Sequence, residues 1–185
     1  MKMRLKALLW SSCISAAMAF AGQAAAATVN ACAARKPTAA SYTWNFKGEA
    51  NTILQDVQFD ARQALFESDK LQSFAADPGL SWESHADELD LLKGDINDIG
   101  SKLCRLEAIR RMVAPWQQRV IDRIATTTRL MADNARDAIV FGEANPEALW
   151  LATYQHYVNN LYDQAKSLTR AFGRLRAAEE TRSQS

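Results

Sequence analysis

Histidine is scarce in this chain: His85 and His156 are the only two in 185 residues. A di-iron carboxylate bundle needs Glu-x-x-His pairs on facing helices, and neither histidine follows a glutamate at that spacing. Cysteine is nearly as rare, at Cys13, Cys32 and Cys104, so the Cys-x-x-Cys-His of covalent haem is missing. Seven scattered glycines build neither a phosphate-cradling loop nor a Gly-x-Ser-x-Gly turn, and no nucleophile, base and orienting group assemble. Four prolines leave long stretches of chain uninterrupted. The 22 basic and 21 acidic residues give no basic excess for nucleic acid or an anionic membrane. Strand-like alternation is also absent.

What is present begins with an export segment. Lys2, Arg4 and Lys6 precede an apolar core from Ala7 to Ala21, which Gly22-Gln23 breaks. A basic start, a short apolar middle and small residues at the cut are the order of a cleaved secretory signal. The core falls short of the ~20 residues needed to span a bilayer. Ala25-Ala26-Ala27 is the expected cleavage site, and Ala19-Phe20-Ala21 the alternative. Cys32, after Val29-Asn30-Ala31, lies too far past the apolar core for lipid attachment. Residues 1–27 therefore read as a signal peptide, and the chain as exported, periplasmic or extracellular. The cut leaves 158 residues (185 less 27), with 19 basic residues against 21 acidic. That is enough chain for one domain with a sizeable core.

Residues 28–44, rich in Ala, Thr and Ser around Pro37, read as a flexible N-terminal arm. From residue 45 to 179 four helical stripes follow, with 180–185 a polar tail. The first runs Ala50, Leu54, Val57, Ala61, Ala64, Ser68, Leu71, Ala75, ending at "ADPGLS". The second runs Trp82, His85, Leu89, Leu92, Ile96, Ile99, Leu103, Leu106, with Ser81 as N-cap. The third opens at Pro115 and runs Val120, Ile124, Thr127, Met131, Asn134, Ala138, Phe141. Asn145-Pro146 repeats the start signal, and Trp150, Tyr154, Tyr157, Leu161, Ala165, Leu168, Phe172, Leu175 form the fourth. A period near 3.5 held this long means helices packed along their length. About 30 residues make a helix ~45 Å long, and short connections force neighbours to run antiparallel. The expected fold is all-α: an up-down-up-down antiparallel four-helix bundle with long helices. The alternative is two longer hairpins that pair as a homodimer.

Trp44, Trp82, Trp116 and Trp150 stand at or near helix starts, the last three 34 residues apart. The residues between do not repeat, so this phasing reads as indoles plugging the bundle's ends, two per end. "DINDIG", Asp95 to Gly100, resembles the opening of a calcium loop, but Ile99 and Leu106 occupy ligand positions and belong to the second stripe. Glu83, Asp87, Glu88 and Asp90 read as a solvated face, and Thr127 and Asn134 as polar residues that fix helix register. His85, on its stripe, reads as a partly buried histidine with a hydrogen-bond partner. Non-covalent haem is the alternative functional reading. Met131 and His156 would lie at similar heights, ~16–18 Å from one end, and His/Met ligation is an established haem mode. A Soret band in protein from the native host would mark that reading. No metal and no catalytic residue is assigned.

Cys32 and Cys104 are expected to form a disulfide. Cys104 adjoins Leu103 on a helix flank, and the arm from Cys32 to the first helix reaches ~40 Å. Closing that separation would stabilise by up to ~4 kcal/mol on the chain-entropy model. The alternative is a buried thiol at Cys104 and an idle Cys32.

"SWESHADEL", "LEAIRRMVAPWQQRVIDRI" and "MADN", within Ser81 to Asn134, resemble blocks of uncharacterised exported helical proteins of bacteria. The resemblance implies a helical bundle and attaches no activity. The expected function is a non-enzymatic bundle working through contacts with a protein or other envelope component, without nucleic acid and without a membrane span after cleavage.

Overall fold

The computed structural model describes residues 45–183, with side-chain surroundings through Phe172. It contains four α-helices: α1 Phe46–Ala75, α2 Trp82–Ile109, α3 Pro115–Ala144 and α4 Ala152–Ser183, with a 3-10 turn, Arg110–Met112, after α2. No strand occurs among the described residues. Each helix packs against the next, and α1 also packs against α4, so the four share one core.

Local chemistry sets the boundaries. Asn45 caps α1, its Oδ1 accepting from Gly48 N at 3.0 Å. Beyond Ala75, Asp77 Oδ1 accepts from Gly79 N at 2.9 Å and turns the chain towards α2. Pro115 occupies the first position of α3, as expected. Gln117 secures that start. Its Oε1 accepts from Ala114 N at 2.8 Å, and its Nε2 donates to Lys47 O at 2.9 Å and Asn51 Oδ1 at 2.8 Å. One buried amide thus ties α3 to the first turns of α1.

The first stripe is buried at every expected position, and the second at every one except half-buried Trp82. Three expectations fail. On α4, Val158 is buried where the stripe places Tyr157, which is half-buried. On α3 the buried set is Gln117, Val120, Ile121, Ile124, Thr128, Met131, Ala135, Ala138 and Gly142. Thr127, Asn134 and Phe141 are only half-buried. At its last turn α3 turns Gly142 inward in place of Phe141 because Trp82 fills the space: a Cβ on Gly142 would sit 2.0 Å from Trp82 Cζ3. The third failure is the start of α4. Asn145 ends α3 instead of opening the next helix, its Nδ2 donating to Phe141 O at 2.9 Å. Residues 146–151 form turns, and α4 begins at Ala152. Trp150 is therefore 65% exposed and plugs nothing. Trp82 and Trp116 do pack against the core, while Trp44 lies outside the described residues. The fourth helix runs on to Ser183, past the boundary expected at 179.

Candidate functional site

The turn between α1 and α2 and the turn between α3 and α4 enclose a pocket of about 300 Å³. Phe74, Trp82 and Trp150 supply aromatic walls, and Asp77, Glu83 and Glu147 supply three carboxylates. No lysine or arginine lines it. Gln155, from α4, donates through Nε2 to Ala75 O and pins the end of α1 beside it.

His85 also lines this pocket, although only 1% of it is exposed. Its Nδ1 is 2.9 Å from Tyr154 Oη. Tyr154 is wholly buried, with its hydroxyl near no other described partner. The hydroxyl and the imidazole share one hydrogen bond, whose direction follows the imidazole tautomer. Burial lowers the His85 pKa and raises that of Tyr154, so both are neutral near pH 7. Phe74 and Tyr154 each meet the imidazole edge to face, at centroid distances of 5.8 and 5.4 Å. The expected hydrogen-bond partner is present, but the histidine is wholly and not partly buried.

A second cluster lies between α1 and α2. Glu88, expected on a solvated face, is 2% exposed and lies 2.5 Å from Lys70 Nζ. Its carboxyl neighbours that of Glu67. Glu67 Oε2 and Glu88 Oε1 are buried without a hydrogen-bond partner, a need that a proton shared between the two carboxyls would meet. The Glu88 hydrogen bond, then burial, then the Glu88 charge push the Glu67 pKa from 4.5 to about 7; Lys70 opposes this and Asp95 adds to it. A raised carboxyl pKa contributes stability that is fully present below about 4.5 and lost as pH rises through about 7. The full shift corresponds to ~3 kcal/mol; partial exposure of Glu67 reduces it to ~1–2 kcal/mol. Glu67→Gln, whose amide donates permanently, should therefore raise stability above pH 7 by that amount and flatten the loss between pH 5 and 8. Urea denaturation at several pH values reads it. Asp95, raised to about 6 by burial and then by Asp60 and Asp98, will leave a smaller slope of the same sign at lower pH.

The other residues singled out from sequence are dispersed. Asp95 to Gly100 is helical throughout, as its apolar positions require. No group of three or more metal-ligating residues occurs among the described residues. Met131 is fully buried, whereas His156 is exposed and its Nε2 lies 3.1 Å from Asn160 Nδ2. Core and solvent are different environments, so the two do not fit an axial haem pair as they stand. Asn134 does link helices, its Oδ1 accepting from Asn160 Nδ2 at 3.3 Å. Cys104 is half-buried on the flank of α2, and Cys32 lies outside the described residues. The chain matches no protein-family model, no curated protein and no solved structure.

Proposed function

We propose that the mature chain is exported and acts, without catalysis, as an antiparallel up-down-up-down bundle that docks a protein of the cell envelope or its exterior. Ion pairs support the antiparallel register. Glu49 meets Arg105, Asp60 meets Lys102 and Lys70 meets Glu88, so numbers rise along α1 as they fall along α2. The order of charge, apolar core and small residues in 1–27 supports export. Among the described residues no helix is long and apolar enough to cross a membrane. An oxidising compartment would also suit a Cys32–Cys104 disulfide, with the arm pinned across the bundle.

The observation that carries the docking role is a pair of phenylalanines. Phe59 and Phe66 are each 63% exposed, seven residues apart on the outward side of α1. Exposed Arg62 lies between them and exposed Asp69 just beyond. Aromatic residues beside arginine are the composition of protein interfaces, and burying such rings is strongly favourable.

A photo-crosslinking residue at position 66 in the native host tests this. The expected result is a discrete heterologous adduct that Phe59→Ser abolishes and that the same probe at Asp163 does not give. No adduct, or equal adducts at both positions, would remove the docking role; an adduct of twice the chain's mass would favour the homodimer. The intact mass of the uncrosslinked product should place the N-terminus at Thr28, or at Gly22 for the earlier site.

A further inference from the structure

The outward side of α1 repeats the spacing of its inward side. Gln55, Phe59, Arg62, Phe66, Asp69 and Ser73 follow one another by steps of four and three, and all but half-buried Ser73 are exposed. Such alternation winds one narrow stripe along a helix, here ~27 Å long. The inward stripe uses the same steps to meet the rest of the core. The outward stripe has two large rings near its middle, each 63% exposed, and polar residues at both ends.

Its charges are unanswered. Towards α2, Glu49, Asp60 and Lys70 meet Arg105, Lys102 and Glu88. Arg62 and Asp69 form no ion pair among the described residues. A second copy of the chain fits them badly. Two such stripes paired parallel set Arg62 against Arg62 and Asp69 against Asp69. Paired antiparallel with Phe59 on Phe66, position 62 faces position 63, which leaves the two Arg62 side chains adjacent. Like charges so placed oppose association. An extended strand fits no better. The rings lie ~10 Å apart along the axis, a distance that a strand covers in about three residues, whose side chains point to opposite faces. A helix returns to the same face over that distance, seven residues on.

We infer that the partner engaged by Phe59 and Phe66 lays an amphipathic α-helix along α1, with apolar side chains against the two rings, an acid opposite Arg62 and a base opposite Asp69. This rests on the docking role proposed above and specifies its partner. The two rings offer roughly 250 Å², well below the ~800 Å² per partner of a stable interface. The contact is therefore transient, with a Kd of about 10 µM to 1 mM.

A labelled synthetic peptide titrated with the full chain, followed by fluorescence anisotropy, tests this. It spans three heptads, with leucines seven residues apart and a glutamate and a lysine, also seven apart, on the same face. Saturation is expected within the range above. A central proline, which breaks the helix, should weaken binding at least ~10-fold. Glutamine in place of its glutamate and lysine should weaken it ~3-fold, less at high salt. Arg62→Glu should weaken the charged peptide ~3-fold or more and leave the glutamine peptide unchanged, while Phe66→Ser, at an exposed position, should remove binding of both. No saturation, equal binding of the proline peptide, or indifference to Arg62→Glu would overturn the inference. The crosslink at position 66 reads the docking role separately. A heterologous adduct with a failed peptide keeps docking and removes the helix; no adduct removes both; an adduct of twice the chain's mass assigns the stripe to a second copy and also overturns the inference.

Discussion

Leu161→Ala is expected to destabilise the bundle by ~2–5 kcal/mol, while Asp163→Ala, two residues along the same helix, should change stability by no more than ~0.5 kcal/mol. Leu161 is fully buried in the shared core, whereas Asp163 is exposed. Truncation removes the transfer free energy of the lost carbons and leaves a cavity whose cost depends on how far the surroundings can collapse. The buried set around the bundle includes Ala61, Ala64, Ala138 and Ala165. Short side chains of this kind cannot swing in to fill a void, so the upper half of the range is expected. Ile96→Ala on α2 should behave alike. Urea denaturation gives both values, and a Leu161→Ala protein as stable as the parent would mean that α4 does not pack on this face.

The fold class was legible because its signal is redundant. Along α1, alternating steps of four and three place Ala50 to Ala75 on one side, and every one of those positions is buried. The signal blurs where two adjacent residues compete for one inward position. At 127 and 128 both are threonine, and at 141 and 142 hydrophobicity selects Phe141. The structure instead buries Thr128 and Gly142, and at Gly142 the space is already taken by Trp82 from α2. That contact joins residues 60 positions apart and leaves no mark in local periodicity. Asn145-Pro146 misleads for a different reason. Asparagine suits either end of a helix, since its amide can donate to a free carbonyl as readily as it accepts from a free N–H; here it donates to Phe141 O.

The candidate site was less legible than the fold. His85 was identifiable from its place on the stripe, but its partner Tyr154 lies 69 residues away. The pocket itself depends on two turns meeting, and only the displaced start of α4 leaves Trp150 in a turn that lines it. Glu88 adjoins Leu89 on a helix whose other acids are mostly solvated, and nothing in its neighbours announces a carboxyl partner on α1. Glu67 and Lys70 lie three residues apart on α1, a spacing that suggests a surface ion pair within one helix. The structure gives Lys70 to Glu88 instead.

Gly142→Ala is expected to destabilise by ~1–3 kcal/mol or more, against the grain of helix propensity. Gly142 is within α3, and no described residue has positive φ, so an alanine meets no backbone obstacle. Propensity alone would favour the change by up to ~1 kcal/mol. Sterics decide the sign. The added Cβ would lie 2.0 Å from Trp82 Cζ3 and 2.5 Å from both Cε3 and Cη2. These are ring carbons of a rigid indole, so the whole side chain has to leave its groove, and Trp82 opens α2 and walls the end pocket. A double variant isolates the cause. In a Trp82→Ala background the clash is gone, and Gly142→Ala should become neutral or stabilising by up to ~1 kcal/mol. The reversal of sign, measured by urea denaturation of all four proteins, is the distinguishing result; the same loss in both backgrounds would mean that Gly142 is needed for something other than the indole.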